Sequence, residues 1–195
     1  MMLENNNIRL RALEPEDIEF LYVWENDTSI WNVGDTVSPL SRHILRSHIA
    51  NAGISIYETK QMRLIAESKS TGNALGIIDL YDFDFHHRKA AVGILISTSS
   101  RRRGVGREAL NMLAEYAFSY LKLHQLYAYI PAGNNASLAL FRSCGFEATI
   151  VLREWISTTN GFEDIVVAQK INQSDEQNKK RKSWKAWMGL GFGKK

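Results

Sequence analysis

Between Ile8 and Leu13, apolar positions (Ile8, Leu10, Ala12) alternate with Arg9 and Arg11, the period-two pattern of a strand with one buried face. Pro15 then opens a predicted helix, with Glu16, Asp17 and Glu19 in its first turn, where acids favour the dipole. Its apolar residues Ile18, Leu21, Tyr22 and Trp24 continue to about Glu25. Residues 26–39 read as loop, and Ser41 as the cap of a second helix through Ile44, Leu45 and Ile49 towards Ala50. Met62 to Glu67 and Leu75 to Phe83 flank a Lys69-Ser70-Thr71-Gly72-Asn73 turn and read as a hairpin; Arg88 to Ile96 is the next strand, after a His86-His87 turn. Val105, Ala109, Leu113, Ala117 and Leu121 recur every four residues, a long amphipathic helix. Leu126 to Ile130 reads as a strand closed by Pro131. Asn134 or Asn135 caps a helix carrying Ala136, Leu140 and Cys144, and Gly145 suits its C-terminal stop. Two last strands, Phe146 to Ile156 and Phe162 to Ile171, surround a Thr158-Thr159-Asn160-Gly161 turn. The predicted order is β-α-α-β-β-β-α-β-α-β-β, with no internal repeat.

After Gln173 the chain turns polar and lysine-rich, so we expect one domain over 1–173 and a basic tail over 174–195. A length of 195 residues, 45% hydrophobic and 23% charged, suits a single soluble globular domain. No stretch approaches the ~18–20 apolar residues of a membrane span. MMLENNNIRL shows no secretory n- or h-region, and a single cysteine, Cys144, excludes an intramolecular disulfide; a cytoplasmic location is expected.

The net charge of +3 is unevenly spread: the tail holds seven Lys/Arg against Asp175 and Glu176, which leaves residues 1–173 at −2. That argues against nucleic acid binding by the folded domain. In the tail, Lys179-Lys180-Arg181-Lys182 precedes Trp184, Trp187 and Met188, which would share one helix face. Such a segment suits contact with an acidic surface, or merely solubilises; Gly189, Gly191 and Gly193 weaken any helix there.

The most informative chemistry lies in Arg101-Arg102-Arg103-Gly104-Val105-Gly106, followed by Arg107, between a strand and a helix start. Free amides at a helix N-terminus, glycines that let a ligand approach, and guanidinium donors together make a cradle for a pyrophosphate. No Lys-Ser/Thr follows, so it is not a P-loop, and the third glycine of the dinucleotide fingerprint is missing.

The run resembles the acyl-coenzyme A signature of the GNAT acetyltransferases, Gln/Arg-x-x-Gly-x-Gly/Ala. A second segment agrees: Asn134-x-x-Ser137, then Phe141 and Gly145-Phe146, matches the family's Asn-x-x-Ala/Ser…Tyr…Gly-Phe spacing. The resemblance covers roughly residues 7–171 and is nearest the branch of spermidine/spermine and ribosomal-protein N-terminal acetyltransferases. It implies an α/β (α+β) fold, a mixed and mostly antiparallel sheet splayed between strands four and five and flanked by helices. It also implies acetyl-CoA as co-substrate, no metal, and a possible homo-oligomer. By the same resemblance, backbone groups of Ile94, Leu95 and Ile96 would pair with the pantetheine arm and Arg101 to Arg107 would hold the pyrophosphate. Asn134 would bond the pantetheine, and Ser137 would lie near its sulfur.

The implied reaction, direct attack of an amine on a thioester, needs a deprotonated amine and a proton for the thiolate. Here the chain departs from many relatives. Phe141 stands where they carry a tyrosine acid, leaving Ser137 as substitute, and Ala91 stands where they carry a glutamate. Candidates for the base are Glu67, Asp79 and Asp82, or an ordered water. Asp79 is notable inside an apolar strand, where an unpaired carboxylate would be costly. Glu25, Asp27 and Asp35, with Asp82, are placed to attract a cationic acceptor. Cys144 reads as a small buried side chain, Trp24 and Trp31 as packing, and His86 with His87 as a turn lacking a third metal ligand. The expected activity is acetylation of a small amine, polyamines or diamines first. Acetylation of a protein N-terminus is the alternative, and a non-catalytic acyl-CoA sensor a third reading.

Overall fold

The computed structural model describes residues 2–28, 38–159 and 161–174. Asp35, Trp31, Asn160 and the tail from Asp175 lie outside the described residues. Among the described residues, strands β1 (Ile8–Arg11), β2 (Met62–Ser68), β3 (Ala74–Asp84), β4 (Lys89–Ile96), β5 (Gln125–Pro131), β6 (Glu147–Thr158) and β7 (Gly161–Ile171) form one sheet, ordered β1-β2-β3-β4-β5-β7-β6. Every pairing is antiparallel except β4 with β5, which is parallel.

Helices α1 (Ile18–Glu25) and α2 (Arg42–Asn51) cover one face, and α4 (Val105–Ser119) and α5 (Asn135–Ser143) the other; α3 (Ile56–Thr59) is a single turn before β2. Alternation along the strands decides which side chain meets which layer. Leu64, Ala66, Ile78, Leu80, Val92, Leu126 and Ile130 pack with Ala109, Leu110 and Leu113 of α4, whereas Ile65 and Ile77 pack with Leu21 of α1 and Leu45 of α2.

Local chemistry explains where the elements differ from the sequence expectation. Pro15 opens a 3-10 turn, Pro15–Asp17, and the α-helix starts only at Ile18. The Asp17 carboxylate is already committed, accepting from Glu14 N and from both Nη atoms of Arg11, which anchors the turn to the end of β1. The α3 turn has no counterpart in the sequence expectation. Ser55 Oγ accepts from Tyr57 N, and Lys60 ends the turn in the left-handed region (φ 59°), a place usually marked by glycine.

Candidate active site

β4 and β5 pair only at Lys89–Gln125, Ala90–Leu126 and Ala91–Tyr127. On its other side β4 stays paired to β3 as far as Ile96 with Gly76. From Val92 to Ile96, therefore, the edge of β4 that faces β5 has no strand opposite it among the described residues, and an open edge accepts an extended ligand by backbone bonds. Ile94, Leu95 and Ile96 lie on that edge. Both strands run towards the same end of the molecule, so the turns that follow them, 97–104 and 132–134, flank the mouth of the gap.

The first turn has the groups that could hold an anion. Arg102 (φ 59°) and Gly104 (φ 84°) are left-handed and swing the chain into α4. The helix ladder begins with Glu108 N donating to Gly104 O, so the amides of Val105, Gly106 and Arg107 point out of the helix end. Arg101, Arg102, Arg103 and Arg107 are exposed around it. Arg101 Nε donates to Ile96 O at 3.0 Å, tying the turn to the open strand. A Cβ at Gly106 would stand 3.2 Å from Leu140 and 3.4 Å from Ile96, so the glycine lets α4, α5 and β4 meet at close quarters. This open edge, anion turn and exposed guanidinium set together fit the pantetheine and pyrophosphate of a coenzyme A thioester.

In the second turn, Asn134 caps α5, its Oδ1 accepting from Ser137 N at 3.0 Å. The turn is braced from β7, where Glu163 Oε1 accepts from Gly133 N at 2.7 Å and Asp164 O from Ala132 N. Phe141 lies in the core, edge-on to Phe146. Cys144 is buried beside it.

The face of the sheet opposite α4 carries the acidic groups. Arg63 of β2 donates from Nε and Nη2 to the two oxygens of Asp79, at 2.9 and 3.1 Å, and from Nη1 to Glu25 of α1 at 2.6 Å. Burial dominates at Asp79 and pushes its pKa up; the charge of Arg63 and its hydrogen bonds oppose this, and Glu25 adds to it. Burial works against the charged form of Arg63, but Asp79 and Glu25 outweigh it and keep the guanidinium protonated. Opposite Asp79 on β4 is Gly93, where a Cβ would stand 3.7 Å from Asp79 Oδ2 and 3.6 Å from Tyr81 Cε1. Tyr127 follows in the same row as Tyr81 and Ala91, with Tyr129 edge-on to it at 5.6 Å.

The structure thus gathers Ile94–Ile96, Arg101–Arg107, Asn134 and Ser137 around one gap, with Asp79 facing it from the neighbouring strand and Glu25 joined to Asp79 through Arg63. Asp82 is exposed on a bulge of β3 (φ 50°), and Asp27 is exposed just past α1. Glu67 is not brought to the gap. Its buried carboxylate sits near the far edge of the sheet, held by Arg9 and Arg11. Burial alone would raise it, but those bonds prevail and its pKa falls below the usual range. Arg63, Gly93, Tyr127 and Tyr129 are absent from the sequence-based candidates. The alternation in Leu126–Ile130 held the signal for the tyrosines, since it places both away from the core.

Residues 7–147 match the family model described as the acetyltransferase (GNAT) domain. The chain is 25% identical over 161 residues to the spermidine N(1)-acetyltransferase of Vibrio cholerae, covering 83% of this chain and 91% of that one. It is 25% identical over 191 residues to a Bacillus subtilis protein that carries the name of a ribosomal N-acetyltransferase, covering 90% and 97%. Solved structures of the Vibrio enzyme share the fold. Its complex with CoA and spermine superposes at a TM-score of 0.76 (24% identity, 86% and 96% coverage), and its dodecameric form at 0.72 (26%, 90% and 99%).

Proposed function

The chain belongs to the GNAT acetyltransferases, and from that premise we propose that it acetylates a small primary amine, polyamines and diamines foremost, in a ternary complex with acetyl-CoA. The observation that carries this is the Glu25–Arg63–Asp79 group beside Gly93: two carboxylates on one guanidinium leave a net negative charge beside the gap, which suits a cationic acceptor.

When bound, acetyl-CoA supplies an acetyl thioester; this chain must hold it, take a proton from the amine and return one to the leaving sulfur. Asp79 takes the first proton. A carboxylate paired with arginine is ordinarily a poor base, because protonating it strands the guanidinium. Glu25 removes that obstacle, since it still balances Arg63 when Asp79 is neutral. Ser137, in the first turn of α5, offers its hydroxyl to the sulfur, and Asn134 its amide to the pantetheine. Asp82 and Asp27 lie further out and draw the cationic substrate towards the site. Glu67 we assign to holding β1 on β2.

Acetylation of a protein N-terminus is the second reading, supported by the likeness to the Bacillus protein. Self-association is proposed as well: the Vibrio relative forms a dodecamer, and the β6–β7 hairpin exposes Ile150, Val151, Trp155 and Phe162. The basic tail is proposed to touch an acidic surface.

Thiol release from acetyl-CoA, measured across spermidine, spermine, short diamines and N-terminal peptides, tests the function. Selective turnover of the polyamines and diamines is expected. Turnover with peptides alone would replace the acceptor class. Binding of acetyl-CoA with no turnover of any amine would leave a sensor.

A further inference from the structure

The end of the sheet opposite the gap carries a second surface. β3 runs out there at Asp84, β4 begins at Lys89, and α4 reaches it with its last turn. Tyr57 of α3 stands edge-on to Phe83 at 5.9 Å and to Phe85 at 5.4 Å, and Tyr116 stacks on Tyr120 at 5.2 Å. Burial raises the pKa of the Tyr116 hydroxyl, and Tyr120 and Tyr57 both add to it, which puts Tyr57 near the stacked pair. Phe83 is buried beneath, but Tyr57, Phe85 and Tyr120 are 54%, 49% and 64% exposed. Large rings left open side by side mark a place where something docks.

The chain leaves the domain at the same place. β7 ends at Ile171, beside Gln125, the first residue of β5. Asn172 then donates from N to His124 O at 2.8 Å and from Nδ2 to Leu123 O at 3.3 Å, and its Oδ1 accepts from Ser174 N and Oγ. The turn that holds the chain here is the one that follows Tyr120 directly. The exposed rings of the β6–β7 hairpin are less well placed: Phe162 lies at the opposite end of β7 from this exit.

We propose that the Tyr57–Phe85–Tyr120 surface is the docking site of the chain's own tail, taking Trp184, Trp187 and Met188. Trp184 comes ten residues after Ser174, a span of up to ~36 Å, ample for rings beside the exit. A tether of that length gives an effective concentration of about a millimolar, so a contact of only ~0.1 mM affinity stays docked about nine times in ten. A separate partner of the same affinity, at micromolar concentration, is outcompeted. Indole and thioether groups suit tyrosine rings, and lysines suit their faces. Charge agrees: the tail carries +5 against −2 over residues 1–173. Glu58 and Glu115, each next in sequence to one of the tyrosines, are exposed, although Lys60 stands 5.1 Å over Phe85. The acidic surface met by the basic tail is then that of its own domain.

Trypsin cleavage after Lys185, followed in the full chain by mass spectrometry, reads the docked fraction, because a docked tail is cut only from its open form. Tyr120→Ser with Phe85→Ser should speed that cut about tenfold, the ratio of docked to open tail. Cuts within residues 1–173 should keep their wild-type rate, which shows the domain intact. Trp184→Ser with Trp187→Ser should match that acceleration, and combining both pairs should add nothing further. Phe162→Ser should change nothing. A wild-type cut as fast as in the free peptide 175–195, or an equal rate in Tyr120→Ser/Phe85→Ser, overturns the proposal. Protection that fades on dilution would make the occupant a second copy's tail. Protection that appears only with vesicles of phosphatidylcholine and phosphatidylserine would give the tail to lipid. Either result replaces docking on the chain's own domain.

Discussion

Two carboxylates on the same sheet, Glu67 buried and Asp79 half-buried, have opposite fates, decided by how many arginines each pairs with. Glu67 is held by Arg9 and by the Nε of Arg11, whose Nη atoms go to Asp17, and these bonds keep it ionised. Asp79 shares Arg63 with Glu25, and burial prevails. A base must be ionised before attack, so the rate should rise as pH climbs through the Asp79 pKa, which lies above the ordinary aspartate value of ~3.9. Asp79→Asn should abolish that limb of the kcat profile and lower kcat by about 10²–10⁴-fold, the usual share of a general base. Steady-state kinetics against pH would show it, and an Asp79→Asn enzyme that keeps the wild-type profile would remove Asp79 from the chemistry. The sequence marked Asp79 as an oddity, a charge among Ile77, Ile78 and Leu80. It could not show the partner, because Arg63 is sixteen residues away and meets Asp79 only through strand register.

At the scale of elements, periodicity carried most of the reading. The α4 and α5 starts, the Asn134 cap and the Gly145 stop (φ 83°) lie where spacing and cap chemistry put them. Boundaries shifted where a tertiary bond intervened: Asp17 turned the first helical residues into a 3-10 turn, and Lys60 closed a turn without glycine. The packing of elements was less legible, and Gly106 shows why. In the sequence it is a phosphate-loop glycine, whereas in the structure it is also the point where α4 leans on Leu140 and Ile96. Gly106→Val would force methyls into contacts already at 3.2–3.4 Å, destabilising by about 1–3 kcal/mol. Because the shifted residues carry both turns at the gap, acetyl-CoA affinity should fall as well. Thermal melts with calorimetry would separate the two effects, and a variant with wild-type Tm and affinity would contradict this packing argument.

For the whole molecule, composition and motif order were enough to place the chain in an α/β class, and the family resemblance supplied the splayed sheet. Strand order and the length of the β4–β5 ladder came only from the structure, since pairing partners are set by contacts distant in sequence. Among the described residues, those three residue pairs are all the strand pairing that joins β1–β4 to β5–β7. A ligand laid along Val92 to Ile96 continues that ladder. Saturating acetyl-CoA at about a hundred times its Kd should add about 2.7 kcal/mol to stability. Amide hydrogen exchange in Val92–Ile96 should slow more than in β2 or β3, and uniform slowing would count against binding at this edge. A cosubstrate on this edge would serve as a temporary strand, lengthening a seam that three residue pairs hold on their own, while the core shared under α4 keeps both sides of that seam in place.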